Sequence, residues 1–246
     1  MKRLLMLCSA CLFSLGAVAG PQINVGVVYD YLSGDKSTYM KRVFNGGTST
    51  AFVKVNILEM IYNDDGTYRE VPLKDQHDAT ARDGLMASPA RLIVPANGTQ
   101  GTRLLFMGNR DKERYFRVRF VPVVPQSDDE FAATDEERAE YKDSLAAGVK
   151  VLAGYGTVFF VRPKNTRFDT AIQDNAKRYT LHNKGNSVVV IDEFKDCAAG
   201  STTDCRPTLR HHIRAGRSYG FDKEPGREYR FSLIEGNESK PIEVKG

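Results

Sequence analysis

The chain has 246 residues, of which 41% are hydrophobic and 27% are charged, and its formal net charge at pH 7 is +4. A balance this close to neutrality excludes binding to nucleic acid or to a membrane surface by bulk electrostatic attraction alone. The length suits either two small domains or one large β domain.

Residues 1–19 have the organisation of a secretory signal peptide. Two basic residues precede an apolar run over residues 4–15, and residues 17–19 (Ala-Val-Ala) have the small-x-small pattern of a cleavage site. A membrane anchor is the alternative, but the run is too short to span about 30 Å of hydrocarbon comfortably. We therefore expect cleavage after Ala19, export, and a soluble mature protein of 227 residues.

Strand-like alternation dominates the chain that follows. Strands with turn residues between them, at this spacing, predict a β-sandwich of the immunoglobulin type. We expect strands over residues 23–31, 38–45, 50–62 and 113–123 and a pair of strands around the turn at 95–98, with Asn45-Gly46-Gly47 as a hairpin turn. In the strand predicted over 50–62, the residues that share one face are Ala51, Val53, Val55 and Ile57; in the strand predicted over 113–123, Phe116, Val118 and Phe120 alternate with Tyr115, Arg117 and Arg119.

Residues 126–143 interrupt this pattern with eight acidic residues against Arg138 and Lys142. Segments this rich in charge and poor in apolar residues seldom order alone, so a mobile, solvated loop is expected, part of which is able to form a short helix. The next stretch, GVKVLAGYGTVFFVRP over residues 148–163, alternates with a period of two and predicts one long strand.

After Arg162-Pro163 the strand pattern resumes and predicts a second, smaller sandwich of about six strands. Cys197 and Cys205 fall inside it, separated by small polar residues that can form a tight loop. In an exported protein such a pair is expected to form a structural disulfide. A redox-active pair is the alternative, although catalytic cysteines usually stand two residues apart at a helix start.

The sequence contains no motif for catalysis, cofactor binding or metal binding. GxSxG, the Walker loop, HExxH and CxxC are all absent. His211 and His212 are adjacent on a predicted strand, so their side chains point to opposite faces and do not readily share a metal; we interpret them as ordinary strand or surface histidines. We therefore predict that the protein is not an enzyme and uses no cofactor.

Three segments of the chain, taken in order, resemble one family. SPARLIVPANGTQGTRLLF, DKERYFRVRFVPVVP and TVFFVRP resemble the paired strands, the acidic-Arg aromatic strand and the end of the donor strand of the PapD-like periplasmic pilus chaperones. The KERYFRV wording and the cysteine pair are closest to the alternate branch, which includes the common-pilus and CFA-type chaperones. The resemblance covers nearly the whole mature chain.

The resemblance implies an all-β fold of two immunoglobulin-like sandwiches around a cleft, with domains at 20–162 and 163–246. It also implies that the chain binds pilus subunits that lack a final strand, lends them its own strand by β-augmentation, and passes them to an outer-membrane usher. The lent strand would be 148–160. The side chains that would enter the subunit are Val149, Val151 and Ala153, with Ala147 or Leu145 extending the row.

The chain departs from the family at the site that anchors the client's C-terminal carboxylate. The family places basic residues at positions that match Tyr29 and Val158 here, and neither residue is basic. The weak candidates for a displaced anchor are Arg42, Lys150 and Lys164; backbone amides are the alternative.

The resemblance also implies an ion network between the domains. Arg162 matches a family arginine, and Glu113 and Glu235 match its acidic partners approximately. Separate surface charges are the alternative. For the whole protein, the alternatives to a chaperone are a pilus subunit or adhesin, or an exported β-sandwich that binds a ligand or has a redox function.

Overall fold

The computed structural model describes residues 20–73, 83–126, 131–146 and 152–246. These residues form strands in both halves of the chain and one helix, α1 (Asp135–Ala146). The strands of the first half are β1 (Ile23–Asn24), β2 (Tyr29–Leu32), β3 (Thr38–Asn45), β4 (Ala51–Tyr62), β5 (Tyr68–Pro72), β6 (Gly84–Ser88), β7 (Arg91–Val94), β8 (Thr99–Met107), β9 (Arg114–Pro122) and β10 (Tyr155–Val161). The strands of the second half are β11 (Thr170–Asp174), β12 (Arg178–Asn183), β13 (Val189–Ala198), β14 (Leu209–Ile213), β15 (Ser218–Asp222), β16 (Arg227–Glu235) and β17 (Glu238–Lys245).

The strands form two pairs of sheets, and each pair encloses a core. In the first pair, one sheet has the order β1-β3-β8-β6 and the other β2-β10-β9-β4-β5, with β7 also paired to β4. In the second pair the orders are β11-β12-β15 and β14-β13-β16-β17. The predicted all-β fold of two immunoglobulin-like sandwiches is confirmed.

The first core contains the residues that alternation placed there. Side chains with 0% exposure come from both sheets and include Val43, Val53, Leu85, Val94, Phe116, Val118, Phe120 and Phe159. Ala51 and Val55 are buried with them, and Ile57 packs against the cluster. Residues on one face of each strand thus meet across the sandwich, which is the packing that a period of two produces.

The hairpin predicted at Asn45-Gly46-Gly47 is wrong. β3 pairs with β1 and β8, whereas β4 belongs to the other sheet, so the turn carries the chain between sheets. The buried Asn45 side chain fixes the crossing: its amide donates to the carbonyl oxygens of Val94 (3.0 Å) and Ser49 (2.8 Å). The first predicted strand, 23–31, likewise splits into β1 and β2 in different sheets, with Gly26 at a φ of 68° between them.

Part of the acidic segment forms helix α1, which begins at Asp135, as the sequence allowed; the expected loop holds only for the non-helical residues described before it, 126 and 131–134. Thr134 and Glu137 form a reciprocal capping box, because the Thr134 amide donates to Glu137 Oε2 (2.7 Å) and the Glu137 amide donates to Thr134 Oγ1 (3.2 Å). Tyr141 and Phe131 pack edge-to-face on Phe52 of β4, with ring centroids at 4.9 and 5.4 Å. A small apolar cluster outside the sandwich core therefore holds the helix.

The predicted disulfide between Cys197 and Cys205 is present in the second sandwich. It closes the loop after β13 beside a core built from residues such as Leu181, Ile191 and Tyr229. In the part of the chain that the structure describes, no helix has the length and apolar character needed to cross a membrane.

Candidate functional site

β10 carries an unpaired edge at its N-terminal end. β9 pairs with β10 from Tyr155 to Val161, but β2 pairs with it, in parallel, only from Val158 to Val161. Among the described residues, no strand therefore covers the other edge of β10 at residues 155–157. Unpaired N–H and C=O groups in a row are a template for an added strand.

One row of β10 side chains leaves the protein's own core at this point. Thr157, Phe159 and Val161 are buried with 0–1% exposure, whereas Tyr155 is 38% exposed and Ala153 is also exposed. All five residues are odd-numbered and lie on one face of an extended chain. The row that fills the first core thus continues beyond the sandwich as accessible side chains.

The remaining predicted donor residues do not belong to the part of this row that the structure describes. Ala147, Val149 and Val151 lie outside the described residues. Of the predicted donor strand 148–160, residues 152–154 are described and are not part of a strand, and β10 begins at Tyr155. Leu145 requires a correction, because it lies in α1 and packs, half-buried, against the Phe52 cluster. Its neighbours in this cluster are aromatic side chains, so Leu145 is already in apolar contact while α1 is folded.

Gly154 allows the chain to approach β9 closely just before β10 begins. A Cβ at this position would lie 2.9 Å from the carbonyl oxygen of Phe120, a separation that real side chains do not show. A glycine is therefore required where the accessible segment crosses the end of β9.

The two positions that should carry a basic anchor are adjacent in space. Tyr29 of β2 is the register partner of Val158 of β10, on the sheet face opposite the core. Level with Val158 on the next strand is Arg117 of β9, whose guanidinium contacts Glu70 at 3.2 Å. Sequence reasoning did not single out Arg117, because its position beside Val158 depends on β-sheet register, although its alternation with Phe116 and Val118 indicates that it faces away from the core.

The displaced anchors considered from the sequence are not at this position. Arg42 is exposed on β3, in the other sheet of the first sandwich. Lys164 is exposed just after Pro163, and Lys150 lies outside the described residues.

The predicted ion network between Arg162, Glu113 and Glu235 is absent as a set of ion pairs. Arg162 is 8% exposed, and its Nε has no hydrogen-bond partner among the described residues. Its guanidinium instead lies over the rings of Tyr31 (5.1 Å) and Phe168 (5.4 Å). Burial lowers the pKa of Arg162, and the nearby charge of Glu113 opposes that shift.

Glu235 is engaged elsewhere. Its carboxylate accepts a hydrogen bond from Thr170 Oγ1 (2.6 Å) and lies 3.4 Å from Lys240 Nζ, both in the second half of the chain. Glu235 therefore pairs with residues of β11 and β17 rather than with Arg162.

Glu113 connects the two sandwiches by hydrogen bonds. Its carboxylate accepts from Ser187 Oγ (2.6 Å), from the Val188 amide (2.9 Å) and from the Tyr115 hydroxyl (2.9 Å). Burial raises the pKa of Glu113, and these donors oppose the shift. Glu113 thus accepts hydrogen bonds from both sandwiches where they meet, and the positive charge of Arg162 lies nearby.

His212 fills the space between the sandwiches. Its ring stacks on Phe160 at 5.3 Å with an interplanar angle of 13°, and lies 4.1 Å from the ring of Tyr29. Its Nε2 is 2.8 Å from the Tyr31 hydroxyl oxygen. His211 points the other way, against Tyr219 of its own sandwich, so the predicted opposite faces are confirmed, but His212 is no surface histidine.

Basic side chains of the second sandwich also reach the first. The Arg214 guanidinium lies 3.6 Å from the centroid of the Tyr62 ring, and Arg217 donates to the Asp64 carbonyl oxygen at 2.6 Å. Together with Glu113 and His212, these contacts join the second sandwich to the outward face of the β2-β10-β9-β4 sheet. The cavity that opens at this joint, lined by residues that include Tyr62, Glu113 and Arg214, is the cleft between the sandwiches. In the described part of the chain, no three His, Cys, Asp or Glu side chains are grouped to hold a metal ion.

The chain is thus a protein of two joined β-sandwiches with a free strand edge, to which an extended chain can pair. No protein-family model matches this chain. A protein of Escherichia coli O157:H7 (strain EC4115 / EHEC) described as "Probable fimbrial chaperone EcpB" is 25% identical over 247 residues, which cover 98% of this chain and 99% of the relative. The protein of the same description from Escherichia coli O1:K1 / APEC is 26% identical with the same coverage.

Solved structures of fimbrial chaperones have the same fold. The class 5 fimbriae chaperone CfaA superposes with a TM-score of 0.55 at 21% identity, covering 92% of this chain and 99% of CfaA. A chain of the CsuC–CsuE chaperone–tip adhesion subunit pre-assembly complex from Acinetobacter baumannii superposes with a TM-score of 0.51 at 12% identity, covering 92% and 99%. The resemblance to the PapD-like pilus chaperones, inferred from the sequence, is confirmed.

Proposed function

We propose that this protein is a periplasmic chaperone that binds incomplete pilus subunits by donor-strand complementation and delivers them to an outer-membrane usher. The observation that carries the proposal is the free edge of β10 at residues 155–157, next to a side-chain row that leaves the core at Tyr155. A subunit that lacks a strand supplies the complementary edge and an apolar groove.

The donor residues are Val149, Val151 and Ala153, with Ala147 next along the row. They share parity with Tyr155 and Thr157, so an extended chain presents them all on one face. The added strand forms main-chain hydrogen bonds along the edge, while alternate side chains fill the groove and determine which subunit fits. Leu145 joins the row only if the end of α1 unfolds.

Arg117 receives the C-terminal carboxylate of the subunit. It stands level with Val158 on the cleft face, one strand away from the positions where relatives of this fold would carry basic residues. Its present partner, Glu70, holds the guanidinium in place and is replaced in part when a client carboxylate arrives.

Residues 1–19 direct export and are removed, residues 20–162 form the chaperone domain, and residues 163–246 form the second domain. The protein acts by binding and not by catalysis, because its contribution is a strand edge and a cleft. The oxidised Cys197–Cys205 pair suits an exported protein.

The test is purification of the tagged full chain from periplasm, with the bound chain identified by mass spectrometry. We expect a β-rich subunit that lacks its final strand. Val151→Asp should abolish its recovery, since an ionised carboxylate buried without a partner in the groove costs several kcal/mol, about as much as the whole apolar contribution of the row.

Val151→Ile is the matched control, because it keeps the site apolar and should retain the subunit. Thermal unfolding of both variants separates binding from folding. An unchanged melting temperature with lost subunit supports the donor row, whereas retained subunit in Val151→Asp contradicts it. Loss of both fold and subunit would place Val151 in the protein's own core.

A further inference from the structure

The contacts of His212 connect the orientation of the two sandwiches to a single titratable ring. His212 belongs to β14 of the second sandwich, while its three ring or hydrogen-bond partners, Tyr29, Tyr31 and Phe160, belong to β2 and β10 of the first. β10 is the strand with the free edge, and β2 is the strand that pairs with its other half. A change at His212 therefore acts directly on the two strands that form the binding edge.

The hydrogen bond between Tyr31 and His212 depends on the charge of the ring. Burial raises the pKa of the Tyr31 phenol, so Tyr31 keeps its proton, and a neutral His212 either accepts that proton at Nε2 or donates its own Nε2–H to the hydroxyl oxygen. Protonation of His212 removes the arrangement in which Nε2 accepts, because an imidazolium only donates. The Tyr31 hydrogen would then need another acceptor within a partly buried aromatic cluster.

The charged and titratable groups around His212 do not compensate for a positive ring. Arg210 and His211, on the same strand, disfavour a positive ring, and Asp192 of β13 favours it. Asp192 is already held by Arg210 through two contacts of 2.6 and 2.7 Å. From the first sandwich, β2 presents the phenols of Tyr29 and Tyr31, and β10 presents the apolar ring of Phe160.

We propose that neutral His212 is the positioning residue that fixes the angle between the two sandwiches, and that protonation of His212 opens the cleft. The statement about the angle concerns the free chain and is independent of the proposed function. Its consequence, that capture of a client strand weakens in acid, rests on the proposed function.

The direction of the pH effect follows from the environment of the ring. Burial, together with Arg210, lowers the pKa of His212 to about 4. An open cleft returns the ring to water, where its pKa is about 6.5. The closed arrangement is therefore fully favoured above about pH 6.5 and is lost as the pH falls toward 4, with a limiting change of about 300-fold in the closed-to-open ratio.

The experiment is small-angle X-ray scattering of the free full chain at pH values from 7.5 to 4, with circular dichroism on the same samples. We expect the radius of gyration to rise between pH 6.5 and 4 while the β-sheet signal stays constant. A scattering profile that does not change over this range, with the fold intact, would overturn the proposal.

Two non-titrating variants assign the change to His212. His212→Phe keeps the ring stack and His212→Gln keeps an acceptor for Tyr31, so either one remains informative if the other fails to fold. Both should give a radius of gyration that is independent of pH. His182→Phe is the control, since His182 bonds Ser218 within the second sandwich and should retain the full acid response.

Glu113 is a second titratable group between the two sandwiches, and the variant Glu113→Gln tests whether Glu113 rather than His212 causes the acid response. If the acid response disappears in Glu113→Gln and persists in both His212 variants, the sensor is Glu113 and the proposal is wrong. Recovery of the co-purified subunit at pH 7.5 and pH 5 provides a separate readout: if no subunit is bound at either pH but the angle still responds, the proposed function fails while the role of His212 stands.

Discussion

Glu113 shows how a residue can be predicted at the right place with the wrong partner. An acidic side chain and a buried arginine suggest an ion pair, yet the Glu113 carboxylate is used by Ser187, Val188 and Tyr115. Arg162 meets aromatic faces instead, which a guanidinium accepts well because it is weakly hydrated. The sequence cannot reveal this choice, because Glu113 and Ser187 are 74 residues apart.

We predict that one substitution of Glu113 destabilises the protein and that another is nearly neutral. Glu113→Ala leaves three donors without their acceptor and should lower the free energy of unfolding by about 2–4 kcal/mol. Glu113→Gln should stay within about 1 kcal/mol of the wild type, since it keeps an acceptor oxygen. Because the folded-state pKa of Glu113 is raised, its ionisation weakens the fold as the pH rises through that pKa, and a neutral side chain avoids this cost.

Urea unfolding at pH 7 measures both variants. Glu235→Ala is the comparison and should cost less than about 1 kcal/mol, because its partners Thr170 and Lys240 can turn to water. An ion network would give a different result, in which Gln at position 113 is as damaging as Ala and Ala at position 235 matches them.

At the scale of elements, α1 was the hardest element to predict, because its high density of charged residues favoured a solvated loop. A 12-residue helix is marginal by itself, and five acidic residues in it suggest solvation. The informative signal was local: Thr134 followed three residues later by Glu137 is a capping box, and Tyr141 and Leu145 are four residues apart, the spacing of one helix face. Their partner, Phe52, lies on the outward face of β4 and is not visible from the helix sequence.

Phe52→Ala should therefore undock α1. We expect the free energy that holds α1 against Phe52 and its neighbours to fall by about 2–4 kcal/mol. The helical circular-dichroism signal should be lost as well, since the helix depends on this packing. Hydrogen exchange at the amides of residues 139–146 should become fast. Ile61→Ala, at a 36%-exposed position on the same strand, is the control and should leave the helix protected. A helix that stays protected in Phe52→Ala would show that its own propensity suffices.

The strands themselves were predictable, but their sheets were not. Alternation located the buried faces of β4 and β9, since Ala51 and Val53 of β4 and Phe116, Val118 and Phe120 of β9 have 0% exposure. Asn45-Gly46-Gly47 has hairpin composition, yet the Asn45 side chain caps carbonyls across the sandwich and directs the chain into the other sheet. Turn residues specify a reversal of the backbone, and long-range pairing decides which strand comes next.

At the scale of the whole molecule, the two sandwiches were predicted from the strand count and from the Arg162-Pro163 boundary, and the joint between them was not. Its members come from distant parts of the chain: Tyr31 and His212 are 181 residues apart and Arg217 and Asp64 are 153 apart. Single-strand patterns contain no information about such pairs. The cleft thus rests on contacts that only the folded chain brings together.

The central claim is that the free edge of β10 accepts the strand of a client. Hydrogen–deuterium exchange of the full chain, alone and bound to the subunit recovered with it, measures this at the backbone amides. We predict that binding slows exchange by at least about tenfold at residues 152–157, because edge amides gain hydrogen-bond partners, and leaves the exposed edge strand β11 unchanged. Unchanged exchange at residues 152–157, together with new protection elsewhere, would contradict the account.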